Sequence, residues 1–286
     1  MLLLSLAMLA PLPIMGSSRA CADEQQAFCG MPEHVHTGDC YGLILACGQE
    51  ESAEHSHTEA CYVPSETPTC GLTEHVHSLA CYSDFTADVE DYDVWCLFSL
   101  LPGLTGDWAQ DLVKVAEMQL GYVESTRNYI VVDGVKQGYT RYGAWFGQPY
   151  DEWCAMFVSF CLNFAQIPKE VMPYDDGTTR MVKKLEEREL YRPADGEYTP
   201  KPGDLVFFCQ SNDEQRRAGH VGIVYKVTGD TLTTIEGNFV PSVRSFEYPL
   251  DYELIIGYGE MPENPNKPLP REPAARSRLT IRLTEE

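Results

Sequence analysis

The sequence predicts an α+β domain preceded by a string of small units stapled through cysteine and histidine. Three observations lead there. Between Ala20 and Val113 there is no Lys or Arg and there are 17 Asp or Glu, so this stretch carries most of the net charge of -22. All but one of the seven His lie inside it, in a repeated Cys/His pattern, and the exception is His220. From about residue 107 onward, helical periodicity comes first and β alternation follows, the order expected of an α+β domain. With 286 residues the chain has room for one full domain plus something smaller. Hydrophobic residues at 44% and charged residues at 22% exclude a collagen-like, coiled-coil or wholly disordered chain. The acidic balance argues against nucleic acid and anionic membrane surfaces as main partners.

Residues 1–22 read as a secretory signal peptide. The apolar run LLLSLAMLA is too short to span a bilayer, Pro11 and Pro13 stop it, and Ala20-Cys21-Ala22 supplies an A-x-A cleavage pattern. No other segment is long and apolar enough for a membrane anchor.

Residues 23–83 hold three copies of one unit: CGMPEHVHTGDCY from Cys29, CGQEESAEHSHTEACY from Cys47 and CGLTEHVHSLACY from Cys70. Each has Cys-Gly, a spacer, Glu-His-x-His, three residues and Cys-Tyr. The second spacer is three residues longer. The candidate metal ligands are Cys29, His34, His36 and Cys40; then Cys47, His55, His57 and Cys61; then Cys70, His75, His77 and Cys81. Cys2His2 closes a tetrahedral zinc site, and residues two apart on an extended chain share a face. Export offers a second reading, in which each Cys pair is a disulfide closing a short hairpin. Both stay open at this stage: a structural zinc per unit or a disulfide per unit. Units this small need some such staple. They resemble short Cys/His repeats found in surface proteins of Gram-positive bacteria.

Residues 84–106 read as an acidic linker, since SDFTADVEDYD has little apolar periodicity and Pro102-Gly103 breaks the run after it. The main domain is assigned to 107–259. Thr105 is expected to cap a helix that carries Trp108, Leu112 and Val115 on one side. Further helices are expected near 152–165 and 178–188. Strands are expected at 203–209, 219–227, 231–237 and 253–258. Residues 260–286 read as a Pro-rich tail ending in one lone alternating segment.

Two residues in the main domain carry chemistry. Cys154 opens an apolar helical run, where the positive end of the helix favours a thiolate. Cys161 and Cys209 sit inside apolar runs and read as core. His220, at a strand start beside a loop, is the one imidazole the domain offers as a base. A three-residue loop at 228–230 would pair Val227 with Thr231, put Gly222 opposite Glu236 and His220 opposite Asn238, and leave Glu236 a diagonal neighbour of His220. Gly222 would then leave space for the carboxylate to lean toward the imidazole. A two-residue loop would turn the faces apart.

The ordered segments EWCAMFVSFCLNFA, KPGDLVFF, GHVGIVY and IEGN resemble the CHAP family of cysteine amidohydrolases and peptidases, over about residues 107–259. The resemblance implies a papain-like core, shared with NlpC-type enzymes, in which N-terminal helices pack on an antiparallel sheet. It implies Cys154 as nucleophile, His220 as general base, Glu236 as the group orienting the imidazole and Asn238 as the polar residue beside it. Gln148, six residues before Cys154, is a candidate to assist the Cys154 backbone N–H in holding an oxyanion. The implied substrate is peptidoglycan, cut at the amide joining muramic acid to the stem peptide or within the peptide. No cofactor is implied for catalysis. The protein would be secreted or displayed on the surface of a Gram-positive bacterium. The rival reading is a non-enzymatic secreted metal-binding or adhesion protein that keeps the fold as a scaffold. A peptidase acting on proteins is a third.

Overall fold

The computed structural model describes residues 26–100 and 103–267. The expected signal peptide at 1–22 lies outside them, as does the tail beyond residue 267. The chain divides into two units, Met1–Tyr82 and Ser83–Glu286. No helix among the described residues is long and apolar enough to cross a membrane.

The first unit has little core. Single 3₁₀ turns at Gly38–Cys40, Glu59–Cys61 and Leu79–Tyr82 carry the second cysteine of each repeat and bury it. Strands β1 (Leu43–Leu45) and β2 (Tyr62–Pro64) pair antiparallel, and every residue of both is exposed. Met31, Val35, Leu72 and Val76 also face solvent. Apolar burial therefore contributes little here, and the repeats are joined by backbone hydrogen bonds, such as His34 with His75 and Thr69 with Cys40, and by their Cys/His side chains.

The second unit is mixed helix and sheet. Its helices are α1 (Tyr92–Leu100), α2 (Trp108–Glu117), α3 (Arg141–Phe146), α4 (Cys154–Phe164) and α5 (Thr178–Glu186). A hairpin of β3 (Tyr129–Val132) and β4 (Val135–Gly138) lies between α2 and α3. The main sheet is built from β5 (Tyr191–Pro193), β6 (Leu205–Cys209), β7 (Ala218–Thr228), β8 (Thr231–Val240), β9 (Ser242–Pro249) and β10 (Ile255–Gly259). Its order is β5-β10-β6-β7-β8-β9, antiparallel throughout. Helix α4 is apolar on all sides and buried at every position but Asn163, which is how a helix behaves when it forms the centre of a core rather than its surface. It packs on β7, β8 and the other helices. Its one buried hydroxyl, Ser159, is satisfied at both ends: it donates to the Asp175 carbonyl and accepts from the Asp175 N–H, each at 2.9 Å.

Several expectations need correction. Residues 84–106 are not a linker; they open the second unit. Trp95 is 7% exposed within the main core, its indole N–H donates to Glu90 at 2.8 Å, and Glu90 pairs with Arg141. The acidic residues that suggested a solvated spacer thus have partners in the domain. Asp107, not Thr105, caps α2 by accepting from the Gln110 N–H. Thr105 instead donates to the buried Asp111 carboxylate through its N–H and its hydroxyl. The tail begins packed: Met261 N–H donates to Asp204, and Lys267 pairs with Asp107. The β3–β4 hairpin was not anticipated, although Asp133-Gly134 at its turn takes positive φ at both positions (50° and 79°), the requirement of a tight hairpin. Edge strand β9 was also unforeseen, because Arg244 and Glu247 interrupt its apolar pattern.

Candidate active site

Cys154 is the first residue of α4. Trp153 occupies the cap position and offers no side-chain cap; the first helical bond runs from the Phe157 N–H to the Trp153 carbonyl. The N–H groups of the first turn are therefore left for another acceptor. Trp153 is itself fixed. It is 1% exposed, stacks on Tyr142 at 5.2 Å and donates its indole N–H to Glu124 at 3.0 Å. A thiol at this point sits on a rigid, electropositive helix start.

His220 comes from β7, and its Nε2 lies 2.9 Å from Glu236 Oε2 on β8. Cys154 lies close enough to the same ring to shift its pKa, and both residues line one cleft. With Nε2 held by Glu236, Nδ1 is the nitrogen left for the thiol. Burial alone would lower the imidazole pKa, but the interactions with Cys154 and Glu236 outweigh it and push His220 up to about 9. The ring is further held by Phe208 at 5.8 Å and Phe239 at 5.6 Å between centroids.

The register that brings His220 and Glu236 together arises differently from the expected one. The β7–β8 turn has two residues, Gly229 and Asp230, with Gly229 at φ 57° and Thr228 paired to Thr231. Taken alone this would turn the two faces apart. Tyr225, however, is an extra residue between the pairs Lys226–Thr233 and Val224–Thr234. This bulge shifts the register by one, and Gly222 faces Glu236. Two departures cancel. A Cβ on Gly222 would lie 2.6 Å from Glu236 Cγ, so the absent side chain is the space the carboxylate occupies.

Glu236 is 0% exposed, and sequence reasoning missed two groups that hold it. Thr234 donates its hydroxyl to Oε1, and Tyr248 on β9 donates to Oε2 at 3.4 Å. The spacing signal for Thr234 was available, because residues two apart on a strand share a face. Tyr248 was hidden with the unforeseen β9.

Asn238 does not face His220 in the sheet. It takes left-handed backbone, φ 67°, and its amide donates to the Glu152 carboxylate at the rim. Gln148 is not placed on Cys154: its amide donates to Asp176 at 2.7 Å, and it does not line the cleft over the thiol. Cys161 is fully buried. Cys209 is buried too, yet it lines the cleft, a position its apolar setting did not suggest. That cleft holds about 790 Å³, and its lining includes Cys154, His220, Phe239, Tyr252, Gln210 and Asn212.

The repeats also differ from expectation. All their cysteines are free, and only Cys47, His55, His57 and Cys61 gather within one repeat. Cys29 gathers with His75 and Cys81, and Cys70 with His34 and His36.

No curated protein matches the chain. Among solved structures it is similar to "The crystal structure of Ly7917" (TM-score 0.35, 15% identity, 54% of this chain and 62% of that one). It is also similar to "The crystal structure of Ly7917 with the hydrolyzing product of MDP" (TM-score 0.34, 13% identity, 52% and 61%). The chain thus spans less than two thirds of either. Residues 144–238 match the CHAP domain, and Cys154, His220, Glu236 and Asn238 all fall within that CHAP domain.

Proposed function

We propose that the chain is a secreted cysteine hydrolase that cleaves an amide bond in peptidoglycan through a Cys154 acyl-enzyme. The observation that carries this reading is the buried Glu236 carboxylate on His220 Nε2, with Cys154 and His220 lining one cleft. The CHAP domain supplies the substrate class, since such domains are typically hydrolases acting on peptidoglycan.

Cys154 attacks as the thiolate, and the raised His220 pKa keeps the imidazole protonated at neutral pH, ready to donate. A carbon–sulfur bond forms as the carbonyl becomes an oxyanion. The unbonded N–H groups at the start of α4, rather than Gln148, face that charge. Imidazolium His220 gives its proton to the leaving amine as the carbon–nitrogen bond breaks. Neutral His220 then takes a proton from water, which attacks the thioester and releases the carboxylate and the thiolate. Glu236 keeps the ring oriented and charge-stabilised through both halves.

The test is digestion of purified peptidoglycan with mass spectrometry of the products. A new amino terminus on the stem alanine identifies an amidase; a cut within the stem or bridge identifies an endopeptidase. Undiminished cleavage by Cys154→Ala would sink the proposal.

A further inference from the structure

The first and third repeats each lack a complete ligand set of their own. The Cys29 thiol stands 3.4 Å from His75 Nε2, and the Cys81 thiol 3.5 Å from the same atom. The Cys70 thiol stands 3.4 Å from His34 Nε2, and the Cys40 thiol 3.5 Å from it. In the second repeat the Cys47 thiol is 3.7 Å from His55 Nε2 and 3.4 Å from His57 Nδ1. A tetrahedral zinc with bonds of about 2.3 Å to sulfur and about 2.0 Å to nitrogen has sulfur–nitrogen edges of about 3.5 Å. The observed separations are those edges.

The outer ring nitrogens are arranged for the same purpose. His36 Nε2–H donates to the Leu72 carbonyl at 3.1 Å, and His77 Nε2–H to the Met31 carbonyl at 3.0 Å. Each bond puts the proton on Nε2 and the lone pair on Nδ1, which also lies near a carboxylate, Glu74 at 3.6 Å from His36 and Glu33 at 3.8 Å from His77; this is the usual support for a metal-bound imidazole. Both bonds also cross from one repeat to the other.

Spacer length explains which repeat closes on itself. In the second repeat, Ser52 and His55 exchange backbone bonds at 2.9 and 3.3 Å, and the Ser52 hydroxyl accepts from the Glu54 and His55 N–H groups. This turn folds the chain back and returns Cys47 to its own histidines. The first and third spacers are three residues shorter and contain no such turn. Their equivalent bonds run between repeats, His34 N–H to the His75 carbonyl and His75 N–H to the His34 carbonyl, both at 2.8 Å. A hinge too short to fold back sends its segment to a neighbour, which is the logic of swapping.

We propose that the repeats bind three zinc ions, one inside the second repeat and two exchanged between the first and third. The exchanged sites are Cys29 with His75, His77 and Cys81, and Cys70 with His34, His36 and Cys40. This stands independently of the chemistry assigned to Cys154.

The experiment uses the full chain, purified with its thiols reduced, loaded with zinc and assayed for metal after a chelator wash. Wild type should retain three zinc ions. Cys29→Ser/Cys81→Ser should retain two, because both changes strike one site. Cys29→Ser/Cys40→Ser should retain one. The reverse pattern for the two doubles overturns the exchange, and a wild-type chain that retains no zinc overturns the metal sites. Because a double variant may lose the whole unit, the wild-type chain is also loaded with cadmium-113. Metal–proton correlations should join the β protons of Cys29 with Cys81 and of Cys40 with Cys70. Correlations joining Cys29 with Cys40 would refute the exchange without any substitution.

Discussion

Gly222 faces Glu236 across the β7–β8 ladder, and a Cβ at Gly222 would come within 2.6 Å of the Glu236 Cγ. Glu236 is buried and tied to His220 and Thr234, so it cannot make room without breaking one of these bonds. Gly222→Ala should therefore swing the carboxylate off the imidazole. A misplacement near 1 Å costs about 10²-fold in rate. We expect kcat on peptidoglycan fragments to fall by about that factor while far-UV circular dichroism stays unchanged. A variant with full kcat would show that the carboxylate position is not critical.

The His220 pKa near 9 sets a pH dependence. The imidazolium proton that must reach the leaving amine is held below it and lost above it, so kcat/KM should fall as pH rises past about 9. Glu236→Gln removes a charge that holds the proton. It should lower the rate by about 10²-fold or more and move the basic limb to lower pH. Folding follows the same sign. The folded pKa lies above the ordinary 6.5, so His220 stabilises the domain fully below about 6.5 and loses that contribution as pH approaches 9. Urea midpoints across this window should decline in wild type and flatten in Glu236→Gln.

Trp95 tests whether the acidic segment belongs to the domain. Replacing a buried tryptophan by alanine costs about 3–5 kcal/mol. Trp95→Ala should lower the urea midpoint of the second unit accordingly, and a chain begun at residue 107 should be destabilised at least as much. Unaltered midpoints would restore the segment to a linker.

Asn238 combines an unusual backbone with a rim contact to Glu152. Left-handed backbone costs a residue with a Cβ about 1–2 kcal/mol, and glycine escapes it. Asn238→Gly should keep stability within a few tenths of a kcal/mol, whereas Asn238→Ala should lose about 1 kcal/mol. Equal activity losses in both would assign the effect to the amide; a loss in the alanine variant alone would assign it to the backbone. Thermal unfolding alongside kcat/KM separates the two.

The site was legible where chemistry is scarce. A domain with one histidine points to His220, and a cysteine opening an apolar run points to Cys154. The partner of His220 was reached through a turn length that proved wrong and a bulge at Tyr225 that cancelled the error. Bulges leave no mark in alternation, because they trade one residue of register for local twist. In the acidic stretch, charge does not mean solvation. Glu90 and Asp84 instead meet Arg141 and Arg127, residues far along the chain. Asp133-Gly134, by contrast, is a turn signal legible in the sequence. Ligand exchange among the repeats lies at the other extreme. The three-residue difference in spacers was visible, but its effect depends on whether a chain can double back, which is a property of three-dimensional closure.

That difference gives the repeats an arithmetic. A long-spacer copy is complete by itself and can be added or removed singly. If the exchange holds, a short-spacer copy is half of something and is completed by a second one, as the first and third complete each other here. An odd one would carry a cysteine with no histidines to meet except those of another molecule, and the count of short spacers would then decide between a monomer and a cross-linked pair.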